Sequence, residues 1–274
     1  MEEFPDANFY KACVPRTWRN SRPQFFNCGN QLDVINSYFR ILDLYYQNPA
    51  DYKLNPDLLF ALVDLDSQAT PFFEKYKVSD TETLFYDLYE NTAIDISKIA
   101  QHHLWVTGFI HKEAYLLQPE LQDVFDNFER GQSQYNGQPL QLDTVYLDIA
   151  SAMIPAQGTN ALQTHFDTLR QRIQHCPKLD TTTPQKLKSS WLAAFQNSKN
   201  PQERRQLIRS LMTVQRVKPQ WENIQPPSTW TSKEWQFREQ LEVEIGDWYS
   251  GQPAIPDNHI ACFFRQLQDK VGVS

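Results

Sequence analysis

The chain is short of glycine, cysteine and methionine, with 8, 4 and 3 of them in 274 residues. Strand-rich folds spend glycine on tight turns and bulges, so its scarcity points to helices joined by proline-marked loops. The cysteines, Cys13, Cys28, Cys176 and Cys262, share no short spacing. They form neither a disulfide framework nor a Cys-x-x-Cys metal knuckle, and read as reduced thiols of a cytoplasmic protein. No apolar run approaches the ~18 residues a membrane-spanning helix needs, so no membrane partner is expected. The opening MEEFPDANFYKA is acidic and lacks the charged-then-apolar layout of a signal peptide.

Several chemistries lack their residues. Gly-x-x-x-x-Gly-Lys, Gly-x-Gly-x-x-Gly and Gly-x-Ser-x-Gly are all missing. That sets aside P-loop nucleotidases, Rossmann enzymes and ordinary serine hydrolases, which need those glycines for close backbone approach. None of the six histidines follows a Glu by three residues, and His-Glu-x-x-His does not occur. Di-iron carboxylate bundles and zincins need those spacings to place both ligands on one helical face. His111-Lys112-Glu113 is half of a deaminase signature without its Pro-Cys-x-x-Cys partner. No metal and no cofactor is expected.

What is present reads as helix. Ser79 to Leu117 has no proline and one glycine, and opens with Ser79-Asp80-Thr81-Glu82. That is a capping box, in which serine and glutamate satisfy each other's free amides. Leu84, Leu88, Thr92, Ile96, Ile99, His103, Val106, Ile110, Ala114 and Leu117 follow at three- and four-residue steps. They draw one helical stripe, with a kink or break allowed near Gly108. Further helices are expected over residues 30–47, through PDLLFALVDL after Asn55, and from Pro119 to Gly131. Others follow at LQLDTVYLDIASAMI, over 159–176, at QKLKSSWLAAFQN and from Pro201 to Val217. Thr231-Ser232-Lys233-Glu234 opens a helix to about Tyr249, and a last one runs from Pro256 to Gly272. The expected fold is all-α, an irregular bundle of about ten helices with no fixed repeat. Residues 1–30 read as an irregular arm, 31–217 as the main helical domain and 218–230 as a proline-rich linker. Residues 231–274 read as a C-terminal helical pair, packed on the main domain or a separate module.

The net charge of −7 hides a polarity. Residues 1–155 hold 11 Lys+Arg against 22 Asp+Glu, and 156–274 hold 15 against 11. Within 170–218 eleven basic side chains meet only Asp180 and Glu203. On the helix from Pro201, Arg205, Arg209 and Arg216 share one face and Leu207, Leu211 and Val214 the other. Lys186, Lys188, Trp191, Trp221, Trp230 and Trp235 are near in sequence. Cations that neutralise phosphates beside rings that stack on bases can bind nucleic acid. The same segment can instead complement the acidic 57–95 stretch of its own chain or an acidic face of a partner, or be a solvated charged face.

Two resemblances are shorter. PQFFNCGNQLDVINSY sets Cys28 just before a helix, where the dipole lowers a thiol pKa. In this it is similar to papain-like cysteine enzymes, although no matching His and Asn are identified, and a buried inert thiol is the alternative. Arg170 and His175 resemble the Arg-x4-His element of HEPN-type helical ribonucleases. Positions five apart on a straight helix diverge by about 140°, so convergence requires a distorted helix end or a second protomer. His103, on the apolar stripe, is either a hydrogen-bonded core histidine or a metal or haem ligand.

The function expected from these readings is a non-catalytic cytoplasmic subunit that binds another protein, as an adaptor, regulator or assembly factor. Trp18, Trp221 and Trp230 lie outside the core stripes and are its expected anchors. The alternatives are a nucleic-acid-binding component using Arg205, Arg209, Arg216, Lys186 and Lys188, and a helical enzyme with a bound cofactor at His103 or a Cys28 nucleophile.

Overall fold

The computed structural model describes residues 4–18, 22–51, 53–73 and 76–272. Residues 1–3 and 19–21 of the N-terminal arm, Arg19 among them, lie outside the described residues. Two compact units are formed, one from Met1–Leu65, Ala69–Gly108 and Glu242–Ser274, the other from Asp66–Gln68 and Phe109–Leu241.

In the first unit α1 (Phe4–Ala12) precedes α2 (Gln31–Gln47). Asn30 caps α2, accepting from the Asp33 amide while the Asp33 carboxylate accepts from the Asn30 amide, a reciprocal box. Val34, Ile35 and Tyr38 form the buried face of α2. β1 (Ala61–Val63) follows, then α3 (Thr81–Leu88), β2 (Tyr89–Glu90), β3 (Ala93–Ile94), α4 (Ile96–Ile99) and β4 (Leu104–Val106). β1 and β4 run parallel, with Ala61 opposite Leu104 and Val63 opposite Val106. A parallel pair requires a long crossover, and here α3, the β2–β3 hairpin and α4 supply it.

The second unit carries α5 (Gln122–Asn127), β5 (Gln134–Tyr135), β6 (Gln138–Pro139) and α6 (Leu142–Ser151). Next come α7 (Ala161–Thr164), α8 (Phe166–Gln171), α9 (Pro184–Asn197), α10 (Pro201–Val214), α11 (Lys218–Glu222) and β7 (Ile224–Gln225). The strands form one antiparallel sheet in the order β6-β5-β7. Asn136 and Gly137, both at positive φ, make the β5–β6 turn, as an Asn-Gly pair favours. Thr183 and Asn200 cap α9 and α10, each with proline at the first helical position. Trp191 and Phe195 of α9 stack at 4.7 Å, and the Trp191 indole donates to the Leu207 carbonyl of α10 at 2.8 Å.

α12 (Glu234–Ser250) ends in the first unit, where Gly246 permits a close approach to α1. A Cβ there would stand 2.8 Å from the Phe9 carbonyl oxygen and 2.6 Å from the Ala12 Cβ. α13 (His259–Val271) closes the first unit, stacking Phe263 on Trp105 of β4 at 5.0 Å. Gly272, at φ +69°, ends α13 as a left-handed cap.

The all-α expectation is overturned. The chain is about 53 % helix and 7 % strand, a mixed α/β fold with small sheets of two or three strands. Beside the β6-β5-β7 sheet, two segments expected to be helical account for the difference. PDLLFALVDL is not a helix; Pro56–Leu58 makes one 3-10 turn and the apolar run becomes β1. A short continuous apolar run suits a buried parallel strand as well as a buried helix, and periodicity cannot separate them. The 79–117 stripe is likewise not one helix. It is α3, a hairpin, α4, β4 and a 3-10 segment at Lys112–Leu117. Its cap is Asp80, whose carboxylate accepts from the Thr83 amide at 2.7 Å, rather than Ser79. Asn91 and Thr92, at φ 51° and 67°, turn the chain after Glu90, which no α-helix can follow. Helix 159–176 is also divided, α7 ending at Thr164 and α8 at Gln171.

Candidate functional site

Most cations of the basic segment have partners within the second unit. Arg205 pairs with Glu120, and Arg204 reaches Asp143 at 2.7 Å while lying 4.0 Å over the Phe195 ring. Lys178 pairs with Glu203 at 2.5 Å and Lys186 with Asp180 at 3.7 Å, and Lys188 donates to the Ser151 carbonyl at 2.6 Å. Arg209 is only 7 % exposed, inside the buried half of α10. Arg205, Arg209 and Arg216 therefore do not form one solvent-facing row. Burying a cation is expensive unless it is paired, so charge reversal at Arg209 reports on folding, whereas reversal at Arg205 reports on the surface.

Arg216 joins the most polar cluster of this unit. Asp66 sits at φ 50°, and its Oδ1 accepts from the Ser67 amide (2.5 Å), the Ser67 hydroxyl (3.2 Å) and Arg216 Nη2 (3.0 Å). Buried Arg172 donates to the Asp66 carbonyl at 2.8 Å and to the Thr213 carbonyl at 3.3 Å. Burial of Asp66 opposes its ionisation. The Ser67 amide, His111 and Arg216 together outweigh that cost and hold the carboxyl below its ordinary range. Asp66 thus anchors a loop by charge and hydrogen bonding, and the short Asp-Ser-Gln sequence carries no motif that would have singled it out.

The remaining expected site residues are distributed differently. Trp18 is fully buried and Trp221 nearly so, so both pack the interior. Trp230 is half-buried, with its indole donating to the Lys233 carbonyl at 3.2 Å and its ring set edge-on to Phe237. His103 lies just before β4, stacked on Phe60 at 4.7 Å, and burial lowers its pKa. Arg170 is paired with Asp167 at 3.1 Å, one turn back, and α8 ends before His175. Among the described residues no group of three or more His, Cys, Asp or Glu could hold a metal ion. No helix there is long and apolar enough to cross a membrane.

A histidine network that no sequence spacing signalled lies in the first unit. Buried His102 contacts Asp87 Oδ2 through Nε2 at 2.8 Å and the Tyr76 hydroxyl through Nδ1 at 3.4 Å. The hydrogen bond from His102, with Lys98 nearby, holds the Asp87 carboxyl below its ordinary value. Its three members are brought together by the crossover between β1 and β4.

Cys28 is half-buried, with its sulfur 3.9 Å from the Phe26 carbonyl oxygen. Cys13, Cys176 and Cys262 are buried, and burial raises all three thiol pKa values, those of Cys176 and Cys262 to about 11. Thiolate is the reactive form. A thiol reagent at pH 8 is therefore expected to label Cys28 alone in the folded protein and all four after denaturation. Prompt labelling of a second cysteine would contradict this packing.

The surface that stands out is apolar. Leu32, Phe39 and Tyr46 are seven residues apart on α2, so each is displaced from the last by only about 20° around the helix. Leu32 and Tyr46 are 48 % and 67 % exposed. Phe73, 52 % exposed, lays its ring 4.9 Å from that of Phe39 and widens the stripe. Among the described residues, eleven of the twelve large hydrophobics left exposed belong to this unit, Trp235 being the other. Clustered apolar exposure of this kind marks contact surfaces, whereas single exposed hydrophobics are ordinary. α2 was legible as a helix, but its sequence gives no sign of which apolar positions stay uncovered.

Comparison of the chain with protein-family models, curated proteins and solved structures gives no match.

Proposed function

We propose that the chain is a non-catalytic cytoplasmic subunit that binds another protein through the Leu32–Phe39–Tyr46 stripe and Phe73. The observation that carries this reading is the exposure of Leu32 and Tyr46 on one side of α2, with Phe73 set against the half-buried Phe39 between them. The compensation of the basic segment by Glu120, Asp143, Asp180 and Glu203 supports it too, since those cations already have partners. Aromatic side chains supply large contact area with few rotatable bonds, and such residues dominate interface energetics.

The test is affinity capture from a lysate of the source cells, wild type against the Tyr46→Ser/Phe73→Ser double variant. Both positions are exposed, so the variant is expected to keep the wild-type melting temperature within a few degrees. The reading expects at least one species retained near stoichiometrically by the wild type and lost from the variant. Identical retention by both proteins would remove this face from any binding role.

A further inference from the structure

We infer that the α2–Phe73 face takes a basic, apolar-sided helical segment of its partner protein. The inference rests on the protein-binding reading and adds the partner's chemistry. Its basis is the division of charge between the two units. The first unit holds 11 Lys+Arg against 19 Asp+Glu, a net of −8, and the second 15 against 14, a net of +1. The unit with nearly all the exposed large hydrophobics is therefore also the one with all the excess negative charge.

The local geometry agrees. Asp43 is exposed and lies about 40° from Phe39 and about 60° from Tyr46 around the helix, beside the stripe. Asp51 is exposed just beyond the helix end. From Leu32 to Tyr46 the stripe is about 21 Å long at 1.5 Å per residue, the length of a four-turn helix. An amphipathic helix laid along it would set its own apolar residues against Leu32, Phe39 and Tyr46, with Phe73 as a side wall. Lys or Arg beside that apolar face would meet Asp43, which lies between the stripe and the exposed Arg40 one turn back, and the net negative charge of the unit as a whole. Opposite charge speeds encounter and selects the partner more than it adds affinity.

The same charge weighs against other occupants. Two copies joined through this face would bring two −8 units together, and nucleic acid or an anionic bilayer would meet the same repulsion.

The test uses the full chain and two fluorescent 18-residue peptides with one heptad pattern of leucines, the polar positions all Lys in one and all Glu in the other. The Lys peptide is expected to bind at least tenfold more tightly than the Glu peptide, and more weakly as salt rises from 50 to 300 mM. A cationic peptide also meets acidic proteins non-specifically, so the deciding comparison changes no charge. Tyr46→Ser/Phe73→Ser is expected to lose at least tenfold in Lys-peptide affinity, while Trp235→Ser on the other unit leaves it unchanged. Equal binding of both peptides, or an unaffected double variant, overturns the inference. So does a concentration-dependent dimer in sedimentation that the double variant abolishes, because a second copy would then be the occupant. Lysate capture that still depends on Tyr46 and Phe73 while the peptides fail would sink the basic-helix chemistry and leave the protein-binding reading standing.

Discussion

Trp191→Ala is expected to destabilise the protein by about 3–5 kcal/mol, the usual cost of emptying a fully buried Trp site. Trp191 is 0 % exposed, stacks on Phe195 at 4.7 Å and ties α9 to α10 through its indole N–H and the Leu207 carbonyl. That carbonyl also accepts from the Ser210 hydroxyl at 2.8 Å, so it keeps a partner when the indole is removed. Most of the loss is therefore packing. Trp191→Phe, which keeps a ring in the stack and removes only the N–H and part of the volume, is expected to cost distinctly less. For a chain of this size the alanine variant's midpoint should fall by roughly 6–20 °C in a thermal melt. A loss below ~1 kcal/mol in urea titration would mean that α9 and α10 do not pack through this residue.

Gly108→Ala is the second large effect, and it acts by overpacking. A Cβ at residue 108 would stand 2.4 Å from His259 Cε1, 2.5 Å from His259 Nδ1 and 2.7 Å from Tyr89 Cε1. Neither ring can readily retreat. His259 is buried and its Nε2 donates to the Thr92 carbonyl at 2.7 Å, while the Tyr89 hydroxyl donates to the Val106 carbonyl at 2.9 Å. Thr92 is a β-branched residue at φ 67°, an unfavourable conformation held in part by that histidine. Displacing His259 would thus strain the β2–β3 turn as well as the core. The expected cost is about 1–3 kcal/mol or more. The readout is a chemical-denaturation midpoint, together with faster amide exchange at Ile94, which donates to the Pro256 carbonyl. A stability equal to wild type would show that the two rings have room to move.

Much of the helical structure was legible because its signals are local. Asn200-Pro201 and Thr183-Pro184 mark helix starts by side chains that bond amides two or three residues away, and Gly272 marks an end through its own backbone. The Asn136-Gly137 turn is local in the same sense. The strands were not legible. β1 and β4 are short apolar runs 43 positions apart in register, and neither alternates in a way that distinguishes it from a helix. The stripe from Leu84 to Leu117 satisfied helical spacing although the chain turns at Asn91 and Thr92. Apolar residues are frequent enough there to fit three- and four-residue steps in either conformation.

The site was legible in its ingredients and not in their arrangement. The helical wheel groups Arg205 and Arg209 together, yet Glu120 takes one and the interior takes the other. Trp221 fell outside the predicted stripes because its helix packs on the 3-10 segment at Lys112–Leu117 and on α6, both distant in sequence, and Trp18 is buried too. By itself the sequence determined the charge polarity, the missing catalytic and metal motifs, and most helix starts after residue 140. These depend on composition or on bonds within a few residues. Only the tertiary structure decided that two apolar runs pair as parallel strands and that most of the basic segment is answered by acids and carbonyls of its own unit. It also decided that the Leu32–Tyr46 side of α2 stays uncovered. Each of these depends on which surface meets which across long loops, where the free energy comes from burial between distant segments rather than from local bonding.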